Sequence, residues 1–528
     1  MAAAEALTNA LIVDAILKRC PDPSDIIQFR LVSTLWNEVI LSFNSPPRVT
    51  VHLNRVVPWR GQVAQGPFIS RRKLSSFPQK LLKSVALIAH PDHDAILPQA
   101  IDLLAHAKVS PHIQHLSVLG GASVGKFVHH IFAKCEFENL KNLRVVLDEE
   151  RVHTYQRRYR DDVTLPEVSN PEISEKPKLL KIQYIVESKV FLGSDVSEEQ
   201  QKFLGFLLAV TPNLESLRVK DDYFSELPAI LGNLSEFRFT WNIRLDNTPD
   251  MVTLRNLNKF LEIVKVSLER LQLTVGFTGS RRSYDFAQFS GEFRFPADGI
   301  KNLKWFENGA MRIFKCGVRD LEKMGKLQHL DLCEIPNEVL QKANVYMGNI
   351  LKRNKACWGG VTNLKLCWIE DLELLEKIGP SFPSLRRLNI NVRLWNVNRG
   401  ELNIFLRMIF ERLASIKALT HISVGAPFPT RFSGFVDFLE YLATSFQDVS
   451  EVRLEHCTCD EWTEDGPFQR FYVPAEVDAK QMRRFRSLVP ALLGCRELTE
   501  ITGVDIARLQ KGLVFRKGSP FQSELPWK

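Results

Sequence analysis

The stretch Gly120-Gly121-Ala122-Ser123-Val124-Gly125-Lys126-Phe127 carries the glycines and the lysine with which a loop between a strand and a helix cradles phosphates. Its last position decides against that chemistry, because Phe127 stands where a Ser or Thr hydroxyl would hold magnesium. A strand-to-helix turn accounts for the glycines. Cys457 and Cys459 form a C-x-C beside His456 and Asp460, but structural zinc needs two paired groups of ligands and no second pair follows. His90, His93, His129 and His130 lack a carboxylate at metal-binding helical spacing. No Gly-x-Ser-x-Gly elbow and no local Cys/His arrangement marks a nucleophile. The expectation is a chain that binds rather than reacts: not an enzyme, no catalytic residue, no metal and no cofactor.

What must position a binding surface is large. At 528 residues the chain exceeds the size at which one core keeps growing, so several domains or an elongated array are expected. Apolar residues at 45% and charged residues at 25% match an ordinary folded chain. No apolar run of membrane-spanning length and no signal-peptide pattern occurs, which predicts a cytoplasmic or nuclear protein without membrane contact. Nine cysteines spread from Cys20 to Cys495 then read as reduced thiols. The net charge of +8 is modest, and clusters such as Arg71-Arg72-Lys73 are too short for a nucleic-acid surface.

From Thr8 to Ile40 the spacing predicts three short helices. The first carries Leu11, Ile12, Val13, Ile16 and Leu17; the turn Cys20-Pro21-Asp22-Pro23 ends it. Ile26, Ile27, Phe29, Leu31, Val32 and Trp36 then recur at helical spacing. About 30 residues cannot bury two apolar faces alone, so another surface is needed, either a partner or the rest of the chain. These residues resemble the F-box: an aliphatic helix, a Pro/Asp turn, Asp25-Ile26-Ile27, and Arg30-Leu31-Val32-Ser33-x-x-Trp36. The opening Leu-Pro pair of that family is Leu7-Thr8 here, and Cys20 stands at a usual leucine. The resemblance implies docking on the Skp subunit, and through it a cullin, by Leu11, Ile12, Ile16, Leu17, Pro21, Ile26, Ile27, Leu31, Val32 and Trp36.

Beyond Ser42 the chain repeats apolar-x-x-apolar-x-apolar thirteen times, from Leu82/Val85/Leu87 to Val449/Val452/Leu454, including Ile300/Leu303/Trp305. Such a triplet turns alternate side chains of a short strand inward, and helical stretches such as Phe203 to Leu208 follow several copies. The set resembles degenerate leucine-rich repeats, which accompany F-boxes in one subfamily. The fold expected is therefore α/β, with an F-box-like three-helix module at 1–43 and an irregular leucine-rich-repeat solenoid, a horseshoe, at 44–528. Charged, glycine- or proline-rich insertions near 148–178, 276–299 and 460–480 read as loops.

The residue between the second and third apolar positions faces away from the core. That column holds Arg144, Arg218, Arg238, Lys304, Lys365 and Arg453 against Asp331, with Ser117, Gln183, Gln272, Asn389 and Ser423 neutral. A basic face predicts an acidic or phosphorylated protein segment as ligand. Together the two resemblances imply a substrate-recognition adaptor of a Skp-cullin-F-box ubiquitin ligase. The competing readings are an interaction scaffold unrelated to ubiquitin, whose N-terminal helices only cap the array, and an enzyme with a pocket of converging His, Asp or Lys groups.

Overall fold

The structure is a computed structural model. It describes residues 49–52, 83–88, 109–120, 124–148, 178–188, 203–224, 231–244, 251–278, 292–333, 345–352, 358–392, 402–426, 451–456, 514–516 and 522–524, with isolated positions elsewhere. The chain divides into two compact units, Met1–Arg244 with Thr248–Leu268, and Leu245–Asn247 with Glu269–Lys528.

Unit 1 is built on parallel strands that pair in chain order: β1 (Val49–His52), β2 (Ser84–Ile88), β3 (His115–Gly120), β4 (Asn142–Asp148), β5 (Lys181–Ser188), β6 (Ser216–Asp221) and β7 (Glu236–Arg244). Helix α1 (Val124–Lys134) lies between β3 and β4, residues 203–209 are helical, and α2 (Met251–Val264) follows β7. Alternation makes these strands: Leu116 and Val118, Leu143 and Val145, Leu217 and Val219, and Phe237 and Phe239 are buried, while Ser117, Arg144, Arg218 and Arg238 between them face outward. α2 puts Leu254, Leu257, Phe260, Leu261 and Val264 on its buried stripe. Phe260 completes an aromatic cluster with Phe224, Phe237 and Phe239, with its ring centroid 4.6 Å from Phe237 and 5.4 Å from Phe224. Two polar groups of α2 hold the Phe224 backbone there: Thr253 Oγ1 accepts its N–H at 3.2 Å, and Asn256 Nδ2 donates to its carbonyl at 2.9 Å.

Unit 2 repeats the plan with β8 (Arg270–Thr278), β9 (Trp305–Asn308), β10 (His329–Cys333), β11 (Asn363–Ile369), β12 (Arg387–Val392), β13 (His421–Ala426) and β14 (Glu451–His456), again parallel and in chain order. Helices α3 (Val318–Glu322), α4 (Val345–Lys352), α5 (Glu373–Ser381) and α6 (Leu402–Leu413) lie in four of its connections, and a hairpin of β15 (Val514–Arg516) and β16 (Gln522–Glu524) is antiparallel.

One backbone device sets the register throughout. Before a strand, a four-residue turn closes on an apolar plug, as when Leu214 N–H bonds Thr211 O at 3.3 Å or Leu385 N–H bonds Phe382 O at 3.1 Å. The next two N–H groups then share one carbonyl of the preceding strand's start. Glu215 and Ser216 donate to Leu180 O at 2.8 and 3.0 Å, and Lys304 and Trp305 donate to Glu269 O at 2.8 and 3.1 Å. Outward residues of successive strands therefore stack in straight rows.

This architecture corrects the expected fold. In place of a three-helix module followed by a leucine-rich-repeat horseshoe, the structure describes in each unit an all-parallel α/β sheet with few helices. The physical reason is that the apolar triplet specifies only a strand buried on one face, which any parallel strand covered on one side satisfies, and leaves the return path open. Those returns are uneven, since strand starts lie 20 residues apart at Ser216 and Glu236 but 39 apart at Asn142 and Lys181. Among the described residues no helix joins β6 to β7 or β8 to β9. The N-terminal expectation rests on few described positions, Val13, Ala15, Thr34, Trp36, Glu38 and Val39, all helical; the boundary at 43 and 44 lies outside them. So do 149–177 and 460–480, whereas Gly276, Phe277 and Thr278, expected in a loop, belong to β8. Among the described residues no helix is long and apolar enough to cross a membrane.

Candidate ligand-binding face

Straight rows make the outward sheet face of each unit a surface of defined chemistry. In unit 1 the middle row runs Ser117, Arg144, Gln183, Arg218, Arg238, each in register with the next. Arg144, Arg218 and Arg238 are exposed. Arg238 donates from Nε to Glu236 Oε1 at 2.9 Å, the carboxylate two residues earlier on the same face. Among the described residues no carboxylate pairs with Arg144 or Arg218. The neighbouring row adds Lys181 beside Asn142 and Ser216. Burial, and then the charges of Lys141 and Lys181, hold the His115 imidazole below its ordinary value, so the positive field reaches the start of β3.

Unit 2 differs. Its middle row is Gln272, Glu307, Asp331, Lys365, Asn389, Ser423 and Arg453. Lys304, expected in this row, instead occupies the position just before β9, where its ammonium meets Glu269 Oε1 at 2.8 Å. The shift follows from the turn: Ile300 opens it and Leu303 is the plug, so the inward residues of β9 are Phe306 and Asn308, three positions beyond the expected pair. Asn308 is fully buried because its side chain is satisfied, Nδ2 donating to Phe314 O at 2.6 Å and Oδ1 accepting Ala310 N–H at 3.1 Å. Lys365 is likewise engaged, with Nζ 2.8 Å from Asp331 Oδ2 on the adjacent strand. Burial raises the Asp331 carboxyl pKa against the pull of that ammonium, while Lys365, against the lowering effect of its own burial, is pushed upward by its hydrogen bond to that carboxylate and the charges nearby. The Arg453 side chain lies outside the described residues.

Beside this row, Trp305 lies between Arg270 and His329. The imidazole stacks on the indole at 3.5 Å between centroids, and the Arg270 guanidinium sits 5.5 Å from the ring centre. Burial first, then the charges of Lys365 and Arg270, lower the His329 pKa to about 4. Its Nδ1 is buried without a hydrogen-bond partner among the described residues, which suits a neutral ring.

Among the described side chains the exposed, basic part of the expected row is Arg144, Arg218 and Arg238 of unit 1, while unit 2 mixes acids, a committed lysine and an aromatic stack. Glu307 and the Trp305–His329 stack were missed because the triplet was placed three residues early. Of the expected Skp contacts, Trp36 alone is described, 5% exposed; Leu11, Ile12, Ile16, Leu17, Pro21, Ile26, Ile27, Leu31 and Val32 lie outside the described residues. In the phosphate-loop lookalike, Phe127 is buried and a Cβ on Gly125 would meet Phe203 Cγ at 3.0 Å, so helix packing accounts for both. An open groove between α5 and α6 is lined by Glu376, Glu411, Arg412 and Lys417, and brings together no histidine or cysteine. No protein-family model matches the sequence, and no curated protein matches it.

Proposed function

We propose that the chain is a non-catalytic adaptor that holds an acidic or phosphorylated protein segment on the outward face of unit 1 and brings it to a Skp-cullin-F-box ubiquitin ligase through its N-terminal residues. The observation that carries the binding half is the exposed, in-register set Arg144, Arg218 and Arg238. Neighbouring strands lie about 4.8 Å apart, so Arg144 and Arg218, two strands distant, are separated by about 10 Å. A peptide in the polyproline-II conformation advances about 3.1 Å per residue with three residues per turn, so acidic groups three residues apart lie on one side of it at about that interval. Guanidinium groups pair with carboxylate or phosphate through two parallel hydrogen bonds, which favours such a ligand over a neutral one.

The ligase half rests on the F-box resemblance of residues 8–40. Holding a substrate beside the ubiquitin carrier raises its effective concentration without a reacting group on this chain. A second reading, a scaffold unlinked to ubiquitin, is favoured by Trp36, whose ring the chain itself covers, as a cap would have it.

The test uses the intact chain and a fluorescent extended peptide with two phosphoserines three residues apart, read by anisotropy. Binding that falls at least tenfold in Arg144→Glu/Arg218→Glu, and weakens with salt, supports the adaptor's binding face. Equal binding of the variant and the parent sinks it.

A further inference from the structure

The third outward row of unit 2 places two thiols side by side. Cys333 closes β10 and Cys367 lies in β11, and the two are register partners on adjacent parallel strands. Both follow the same local sequence, Leu330-Asp331-Leu332-Cys333 and Leu364-Lys365-Leu366-Cys367, whose leucines point inward and are buried. Parity therefore puts both sulfur atoms on the outward face, and both thiols are free. A separation of about 4.8 Å between paired strands lies within the range of about 4.4–6.8 Å over which Cα atoms of a disulfide are found, so a bond can form without moving either strand.

The surroundings divide the labour between the two sulfurs. The neighbouring Cys333 thiol, and after it the Lys365 ammonium two residues earlier, hold the Cys367 pKa below its ordinary value against burial, while Cys367 and burial push Cys333 upward. Asn391 Nδ2 points at Cys367 Sγ from the next strand at 3.9 Å, a further donor to a thiolate. Cys367 is 7% exposed and Cys333 is more open, so a small oxidant reaches the pair where a bulky one is hindered.

We propose that Cys333 and Cys367 form a cross-strand dithiol that is a modification site for hydroperoxides, closing reversibly to a disulfide that ties β10 to β11. The Cys367 thiolate attacks one peroxide oxygen, the O–O bond breaks, and the leaving alkoxide or hydroxide takes a proton, leaving Cys367 as a sulfenic acid. The Cys333 sulfur then attacks the Cys367 sulfur; the S–S bond forms, the S–O bond breaks, and the departing hydroxide leaves as water with the Cys333 proton. Two thiols lose two electrons in all, and the hydroperoxide is reduced to an alcohol and water, or to two waters when it is hydrogen peroxide. A thiol reductant reverses the step by exchange.

The experiment treats the intact, fully reduced chain with hydrogen peroxide, blocks remaining thiols with N-ethylmaleimide, and maps tryptic peptides by mass spectrometry without reduction. The result expected is a species joining residues 327–342 to residues 366–377, two hydrogens lighter than the sum of the peptides and lost on adding dithiothreitol. Residues 356–365, which carry Cys357, should be recovered with maleimide attached. The same treatment in urea should lose the selectivity and scramble the linkages. Recovery of Cys333 and Cys367 as maleimide adducts or separate sulfinic acids, or linkage of either to Cys357 instead, overturns the proposal. The parent protein alone decides the outcome, so no variant need fold.

Discussion

Lowering the pH from 7 to 5 should loosen β10 and its neighbours through one side chain. His329 is held at about 4 by burial and by Lys365 and Arg270, against an ordinary histidine value of about 6.5 in the unfolded chain. A depressed imidazole means the unfolded state binds the proton first. The stability His329 contributes is therefore complete above pH 6.5 and declines as pH falls through 6.5 toward 4, with no further loss below that. Linkage over the step from 7 to 5 amounts to about 2 kcal/mol, and solvent access to the half-buried ring reduces this to about 1 kcal/mol. Protonation would also place a new N–H at Nδ1, a buried atom with no acceptor among the described residues. The assay is hydrogen exchange with mass spectrometry on peptides covering residues 327–342, with rates corrected for intrinsic pH dependence. About a fivefold drop in protection is expected for the parent between pH 7 and 5, and a much smaller one for His329→Gln. Equal pH dependence in the two proteins, or protection that rises toward pH 5 in the parent, would refute the reasoning.

Other expectations follow from the same contacts. Lys365→Met leaves the Asp331 carboxylate buried without its cation and should cost unit 2 about 2 kcal/mol at pH 7 in urea unfolding, after allowance for the partial exposure of Lys365. Because the Asp331 pKa is already raised, that deficit should shrink as the pH falls and the carboxyl protonates; a deficit that grows on acidification contradicts the pairing. Phe260→Ala opens the aromatic cluster under α2 and should destabilise unit 1 by about 3–5 kcal/mol, seen as a lower urea midpoint at an unchanged slope.

Much of this sheet was legible in the sequence because inward alternation is a local property. Leu143/Val145, Leu217/Val219 and Leu388/Ile390 pair as their triplets foretold, and the outward residues between them fall in rows. The exception shows what was not legible. At β9 a polar residue, Asn308, takes an inward place by satisfying its own hydrogen bonds, so a reading by apolarity slid three residues back to Trp305 and promoted Lys304 over Glu307. Pairings across strands were hidden for another reason. Lys365 and Asp331 are 34 residues apart in the chain and meet only through register, whereas the carboxylate that engages Arg238 sits two residues before it on its own strand, where alternation alone shows it. The two Leu-x-Leu-Cys segments carried enough signal to align β10 with β11 and to find the dithiol. The returns between strands vary in length and helix content, and no local pattern fixed them; hence the horseshoe expected from the triplets gave way to the parallel sheet described above.

The most direct test of the adaptor reading is size-exclusion chromatography with light scattering on the purified full chain mixed with the purified Skp subunit. The account predicts a one-to-one complex that Ile27→Asp abolishes while its circular dichroism stays that of the parent. Separate elution of the two parent proteins would contradict the ligase link and leave a binding face with Arg144 and Arg218 at its centre in a scaffold whose N-terminal residues serve only their own chain.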